Sequence, residues 1–230
     1  MLEMDFKELI CEVRTFSERL RDLSGEVELS IEIAPPIEDA RIAQYEKRWP
    51  KGIPNSLREL WTTGSEQINC PYAWTPLDGD QQRLERIFEG QDSIYGGVRF
   101  NSSESIFPGN SGYDQNDRDF EYTLGKEGLS LWCRSAVILD VGNGDCLGLD
   151  IKEDYDDPPV VYLVHDDDSS SVISKSFKKF LSDWAQLSFI GPEYWLLDYW
   201  IDQDGFIDID KYKTSELAVL LTPSKPKYEA

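Results

Sequence analysis

The sequence predicts one folded domain that combines α-helices with β-strands, and three observations carry that reading. The 230-residue chain is 40% hydrophobic with seven Trp, enough apolar matter for a core and far more than disordered acidic chains hold. Its first segment sets Phe6, Leu9, Ile10, Val13, Phe16, Leu20 and Leu23 at helical spacing, with Gly25 as a C-terminal cap. Farther on, Ala136-Val137-Ile138-Leu139-Asp140 and Cys146-Leu147-Gly148-Leu149-Asp150 flank Gly142-Asn143-Gly144-Asp145, the turn chemistry of a β-hairpin. No internal repeat or clean linker divides the chain, so residues 1–230 read as a single domain.

The elements follow in order. After the first helix, Val27, Leu29, Ile31 and Ile33 alternate with polar residues as a half-buried strand that Pro35-Pro36 stops. A second helix is expected over 37–49, with Ile42, Tyr45 and Trp49 on one face. A third begins near Pro54, where a first-turn proline is tolerated, and ends at Gly64. Ile68 to Trp74 reads as a strand, and Leu84, Ile87 and Phe88 fit a short helix. Residues 101–120 are mostly Asn, Ser, Gly and Asp and read as a long loop. Beyond the hairpin, 159–164 reads as a strand, and Ser176 caps a helix with Phe177, Phe180, Leu181, Trp184 and Leu187 on one stripe. The tail over 192–222 is rich in Trp, Tyr and Leu and is expected to pack onto the domain, with the last few residues frayed.

Charge narrows the function. Forty-four acidic residues against 23 basic ones and one His give −21, which disfavours nucleic acid and anionic membranes as partners and favours basic ones. Residues 61–120 carry −6 and residues 121–170 carry −9, so −15 of the −21 lies in the middle of the chain. The scattered Cys11, Cys70, Cys133 and Cys146 suit reduced thiols rather than a metal or disulfide framework. The acidic, polar-interrupted start is unlike a signal peptide, and no apolar run is long enough to span a bilayer. A cytoplasmic location is therefore expected.

Catalytic and metal motifs fail on their spacing. Gly109-Asn110-Ser111-Gly112 is not a nucleophile elbow, and Ser111 reads as a loop serine. His165, beside Asp166-Asp167-Asp168, reads as a structural histidine bonded to a nearby carboxylate or carbonyl. Gly142, Gly144 and Gly148 miss the dinucleotide spacing, and Asp202, Asp204 and Gly205 lack the first and twelfth ligands of a calcium loop. Asp140, Asp145, Asp150, Glu153, Asp154, Asp156 and Asp157 are dense enough to raise a carboxylate–metal hydrolase as an alternative. With only Lys152 nearby to handle phosphate, a solvated acidic face describes them better. No cofactor and no metal is expected.

One set of motifs resembles a known family. Ala34-Pro35-Pro36-Ile37 to Tyr45-Glu46, then Gly52-Ile53-Pro54-Asn55-Ser56-Leu57-Arg58-Glu59-Leu60-Trp61 and the turn at Thr63-Gly64-Ser65, look like the opening of the SUKH superfamily. The stretch from Val137 through Gly142-Asn143-Gly144-Asp145 to Pro159-Val160-Val161-Tyr162 and His165-Asp166 resembles its middle. Ser176-Phe177, Phe180-Leu181 and Trp184 resemble its closing helix. The likeness covers 34–190, with 1–33 as an added helix and strand and 191–230 as a C-terminal extension. Ile-Pro stands where the family has Leu-Pro.

The resemblance implies an α+β fold, with a central mixed or antiparallel sheet and helices packed mainly on one side. Bacterial members include immunity proteins that bind and neutralise a cognate toxin, often a nuclease, while fungal relatives are interaction scaffolds that regulate cell-wall synthesis. It implies no catalytic centre. The expected role is therefore a cytoplasmic immunity protein, a monomer or weak dimer, that occludes a toxin's basic surface. A non-enzymatic scaffold or regulatory module is the alternative. The acidic residues proposed for contact are Asp114, Asp117, Asp119, Asp154, Asp156, Asp157, Asp166, Asp167 and Asp168, with Trp74 and Tyr113 as aromatic anchors.

Overall fold

The computed structural model describes residues 5–152 and 156–222. Helix α1 (Phe6–Leu20) starts on a reciprocal cap. Asp5 Oδ1 accepts from the Glu8 backbone N–H at 2.8 Å, and the Glu8 carboxylate accepts from the Asp5 N–H at 3.0 Å. Such a cap contributes about 1 kcal/mol. Phe6, Leu9, Val13, Phe16 and Leu20 form the buried stripe that the spacing predicted. Each such side chain contributes about 1.5–3 kcal/mol on burial.

The first sheet follows. Strands β1 (Glu26–Leu29) and β2 (Glu32–Ile33) both lie antiparallel to one edge of β3 (Ile68–Thr75), in a single register from Glu26 opposite Thr75 to Ile33 opposite Ile68. The expected strand is therefore present but interrupted, and Pro71 is the reason. The Ser30 N–H reaches the Pro71 carbonyl at 3.1 Å, but a proline has no N–H to return. Between these strands run α2 (Asp39–Tyr45) and α3 (Asn55–Glu59), whose last turn widens as far as Gly64. After α4 (Asp78–Ile87), β4 (Ile94–Arg99) pairs with the other edge of β3.

The second sheet is the antiparallel meander β5 (Ser135–Asp140), β6 (Cys146–Asp150), β7 (Val160–Leu163) and β8 (Ser171–Ser174), preceded by α5 (Arg118–Arg134). The α+β class and the antiparallel hairpin are as expected, and the strands divide between two sheets rather than one. A bond of 2.8 Å from the Asn101 N–H to the Ile138 carbonyl joins β5 to the end of β4.

The core explains the burial of each strand. Ile138, Leu147, Leu149, Val160 and Tyr162 join the main core with α1 and α6 (Phe177–Gln186). On the opposite face Val137, Val161 and Leu163 pack against Leu124, Leu129, Leu131 and Trp132 of α5. With both faces covered, β6 and β7 are buried throughout, whereas β3 alternates because one of its faces meets solvent. Most helices lie on the main-core side, with α5 across the second sheet.

The C-terminal extension holds α7 (Tyr194–Leu197), α8 (Ile209–Lys213) and α9 (Glu216–Leu220). It packs onto the domain through the fully buried Trp200, whose ring lies 6.2 Å from Phe88 and 5.1 Å from Tyr212. The expectation of frayed last residues concerns 223–230, which lie outside the described residues.

Candidate interaction surface

The site is built on α5, where the loop reading of 101–120 gives way to helix. Asp117 caps the helix, its Oδ1 accepting from the Asp119 N–H at 3.0 Å and the Phe120 N–H at 3.3 Å. Asp114 Oδ1 accepts from the Asn116 N–H at 2.9 Å and so fixes the preceding turn. The helix kinks at Gly125, which adopts φ 67° and ψ 165° and so divides an outer turn from the part that packs on the sheet.

Three aromatic rings link core to surface. Trp132 is buried and its indole N–H donates to the Val164 carbonyl at 2.9 Å. The Tyr113 ring centroid lies 4.6 Å from that of Trp132 and 4.5 Å from that of Phe120. Phe120 is 40% exposed, and Tyr122, two residues on, is 93% exposed. Asp114, Asp119 and Glu121 are exposed around these rings. The exposed run Asp166–Asp168 joins them, since a Cβ placed on Gly125 would lie 3.2 Å from that of Asp168. Two acidic segments distant in sequence thus meet beside one aromatic turn.

Tyr113 and Trp132 also line a polar groove of about 780 Å³ between the two sheets, with Arg99, Asn101, Asn110 and Asp140. Asn110 acts as a substitute strand along β5. Its Oδ1 accepts from the Val137 N–H at 2.7 Å, and its Nδ2 donates to the Val137 carbonyl at 3.0 Å. The hairpin turn closes one end through Gly144, whose Cβ position lies 2.8 Å from the His165 ring.

His165 is bonded to a carboxylate, but to Asp145 rather than to its sequence neighbours. Its Nδ1 lies 2.8 Å from Asp145 Oδ1, which also accepts from the His165 backbone N–H at 3.1 Å. Asp145 Oδ2 accepts from Asn143 Nδ2 at 2.8 Å and the Tyr162 hydroxyl at 3.2 Å. Burial alone would raise the Asp145 pKa, but the bonds from His165, Asn143 and Tyr162 outweigh it and hold the carboxyl below its ordinary value. The bond to Asp145 raises His165 in turn, with Asp166 and Asp167 adding to it. Burial pushes the Cys146 thiol and the Tyr162 hydroxyl up, so both stay protonated.

Asp145, His165 and Asp166 are the one grouping among the described residues with metal-ligand spacing. The Asp145 oxygens are already committed to four donors. The remaining carboxylates do not converge. Asp150 forms a two-bond pair with Arg134 at 2.7 and 3.1 Å, which ties the end of α5 to β6. Arg134 is held above its ordinary pKa by that contact.

The predicted contact residues therefore separate. Tyr113, Asp114, Asp117, Asp119 and Asp166–Asp168 gather around the outer turn of α5. Trp74 corrects the sequence expectation: it is 1% exposed, with its indole N–H donating to the Ser24 carbonyl at 3.0 Å, so it belongs to the core and offers a partner nothing. Asp157 is engaged within the fold, its Oδ1 accepting from the Phe177 and Lys178 N–H groups at 2.9 and 3.1 Å at the start of α6. Asp156 bonds Asn55 Nδ2 at 2.9 Å and lies with Asp157, away from α5. Asp154 lies outside the described residues. Sequence reasoning missed Phe120 and Tyr122, although two aromatics alternating with Asp119 and Glu121 in a polar stretch were a visible signal.

These features define a domain of α+β architecture, with an acidic and aromatic face displayed on a packed helix. The model of the SMI1/KNR4 family (SUKH-1) matches residues 36–183, and the chain belongs to that family. Comparison with curated proteins and with solved structures finds no match. Among the described residues, no helix is long and apolar enough to cross a membrane.

Proposed function

We propose that this chain is an immunity protein that binds a cognate toxin domain, of the nuclease type, and covers its basic surface in the cytoplasm. One observation carries the reading: Phe120 and Tyr122 stand exposed among Asp114, Asp119, Glu121 and Asp166–Asp168. Exposed aromatics on a supported scaffold are the usual anchors of an interface, and the surrounding carboxylates favour a basic partner and speed encounter. Asp117 belongs to this surface through its cap and Tyr113 through its ring contacts. The bacterial branch of the family supplies the role. The chemistry of inhibition is occlusion, with carboxylates standing where the toxin would hold phosphates, and it needs no catalytic group from this chain.

The test is co-expression with the product of the adjacent gene. The reading expects rescued growth, a one-to-one complex, and an affinity that falls as salt rises. Failure of both rescue and complex formation overturns it. A stable complex without rescue favours the scaffold role instead.

A further inference from the structure

The solvent face of the first sheet carries a second arrangement, independent of α5. Because β3 alternates, Asn69, Pro71, Ala73 and Thr75 point away from the core. Register sets Glu26, Glu28 and Glu32 beside Thr75, Ala73 and Asn69 on that same face. On the other side of β3, Tyr95, Gly97 and Arg99 complete it. An open groove of about 470 Å³ crosses this face from Glu28 over Pro71 and Ala73 to Tyr95. Its far wall is the Arg99–Glu193 pair at 2.9 Å.

Each feature suits a basic segment. The floor is small and apolar, and it stays low because a Cβ on Gly97 would meet the Cys70 carbonyl oxygen at 2.0 Å. Tyr95, 42% exposed, offers a ring against which a Lys or Arg stem can lie. Between Asp22 and Ala40 the sequence holds six acidic residues and no Lys or Arg. Glu26, Glu28 and Glu32 form no ion pair among the described residues, and the Glu32 carboxylate accepts from Asn69 Nδ2 at 3.1 Å. Residues two apart on a strand repeat every ~7 Å, and an extended partner with bases at alternate positions has the same repeat.

The edge itself is available. Among the described residues no strand pairs with the outer side of β1 and β2. A row of glutamates there repels a second copy of the same edge, since like charges opposite one another destabilise pairing, but it accepts a strand of opposite charge. We infer that the Glu26–Ile33 edge and the adjoining face dock an extended basic segment of a partner protein. The segment adds as a strand to β1 with alternate Lys or Arg side chains at Glu26, Glu28 and Glu32, and the chain leading out of it crosses the groove over Pro71 and Ala73 to Tyr95.

The test uses the full chain and a synthetic peptide of alternating Lys and Thr, with a peptide of the same composition but clustered lysines as control. Calorimetry measures affinity, and amide chemical shifts map the site. The inference expects the alternating peptide to bind more tightly and to perturb Val27, Leu29, Ala73 and Tyr95. Neutralising Glu26, Glu28 and Glu32 to Gln weakens it about tenfold, the loss of three exposed ion pairs. Ala73→Arg, which fills the groove with the chain's own cation, weakens it while leaving all three glutamates in place. Phe120→Ala with Tyr122→Ala leaves it unchanged, which separates this site from the α5 surface. Equal affinity for the two peptides, undiminished binding to the glutamine variant, shifts confined to α5, or no binding at all overturns the inference.

Discussion

Two glycines in α5 respond to alanine in opposite directions. Gly125 adopts φ 67° and ψ 165°, a region that only glycine occupies readily, where another residue costs about 1–3 kcal/mol. Its Cβ would also come within 3.2 Å of the Asp168 Cβ, tight enough to push the acidic run aside. Gly125→Ala is therefore expected to destabilise the protein by about 2–3 kcal/mol. Gly128 is buried in regular helix, and a Cβ there meets the Leu124 Cβ at 3.6 Å and the Ser170 Oγ at 4.0 Å, both ordinary contacts. Gly128→Ala is expected to stabilise by about 0.5–1 kcal/mol, because it lowers the entropy of the unfolded chain. Urea unfolding followed by Trp fluorescence measures both, and the midpoints should move apart with unchanged slopes. Shifts of the same sign, or a neutral Gly125→Ala, would refute the kink as the determinant of how the outer turn is set.

Other consequences are equally open to measurement. Asp157→Ala leaves two α6 N–H groups without their acceptor and should cost about 1–2 kcal/mol in chemical denaturation. Arg134→Met strands the mostly buried Asp150 carboxylate and should cost about 3–5 kcal/mol, with part recovered when Asp150→Leu is added. His165 has a raised folded-state pKa, so its contribution is complete below the unfolded value of about 6.5 and is lost as pH climbs through the folded value. Asp145 is lowered, so its contribution persists above the ordinary carboxylate pKa and is lost only as pH falls through the depressed value. Stability should thus decline as pH rises from about 6.5 through the raised His165 value in the wild type, and this decline should be missing in His165→Gln. An NMR titration that places His165 at or below its ordinary value would contradict the pairing.

Much of the fold was legible because local pattern and tertiary context agree. The stripe from Phe6 to Leu20, the Asn-Gly turn before Asp145 and the stripe from Phe177 to Trp184 each carry one period. Strand β4 was not legible, because Gly96-Gly97 interrupts its apolar run, and β8 was hidden by the serines at both ends, Ser171 and Ser174. Helix α5 was obscured by Gly125 and Gly128, and its core contacts, Leu124, Leu129, Leu131 and Trp132, form no simple stripe across the kink. The candidate site was half visible. Carboxylate density pointed to Asp114–Asp119 and Asp166–Asp168, but composition cannot tell an exposed carboxylate from the helix-capping Asp157. The burial of Trp74 was readable, since Ile68, Cys70, Tyr72 and Trp74 alternate onto one inward face.

The central claim is that this domain meets its partner through the outer turn of α5 and the acidic run beside it. Hydrogen–deuterium exchange on the free chain and on its complex with the co-expressed neighbour tests that claim most directly. The account predicts new protection over 113–125 and 165–169, lost together with the complex when Phe120 and Tyr122 become Ala. Protection confined to other elements, with an undiminished complex in that variant, would contradict it.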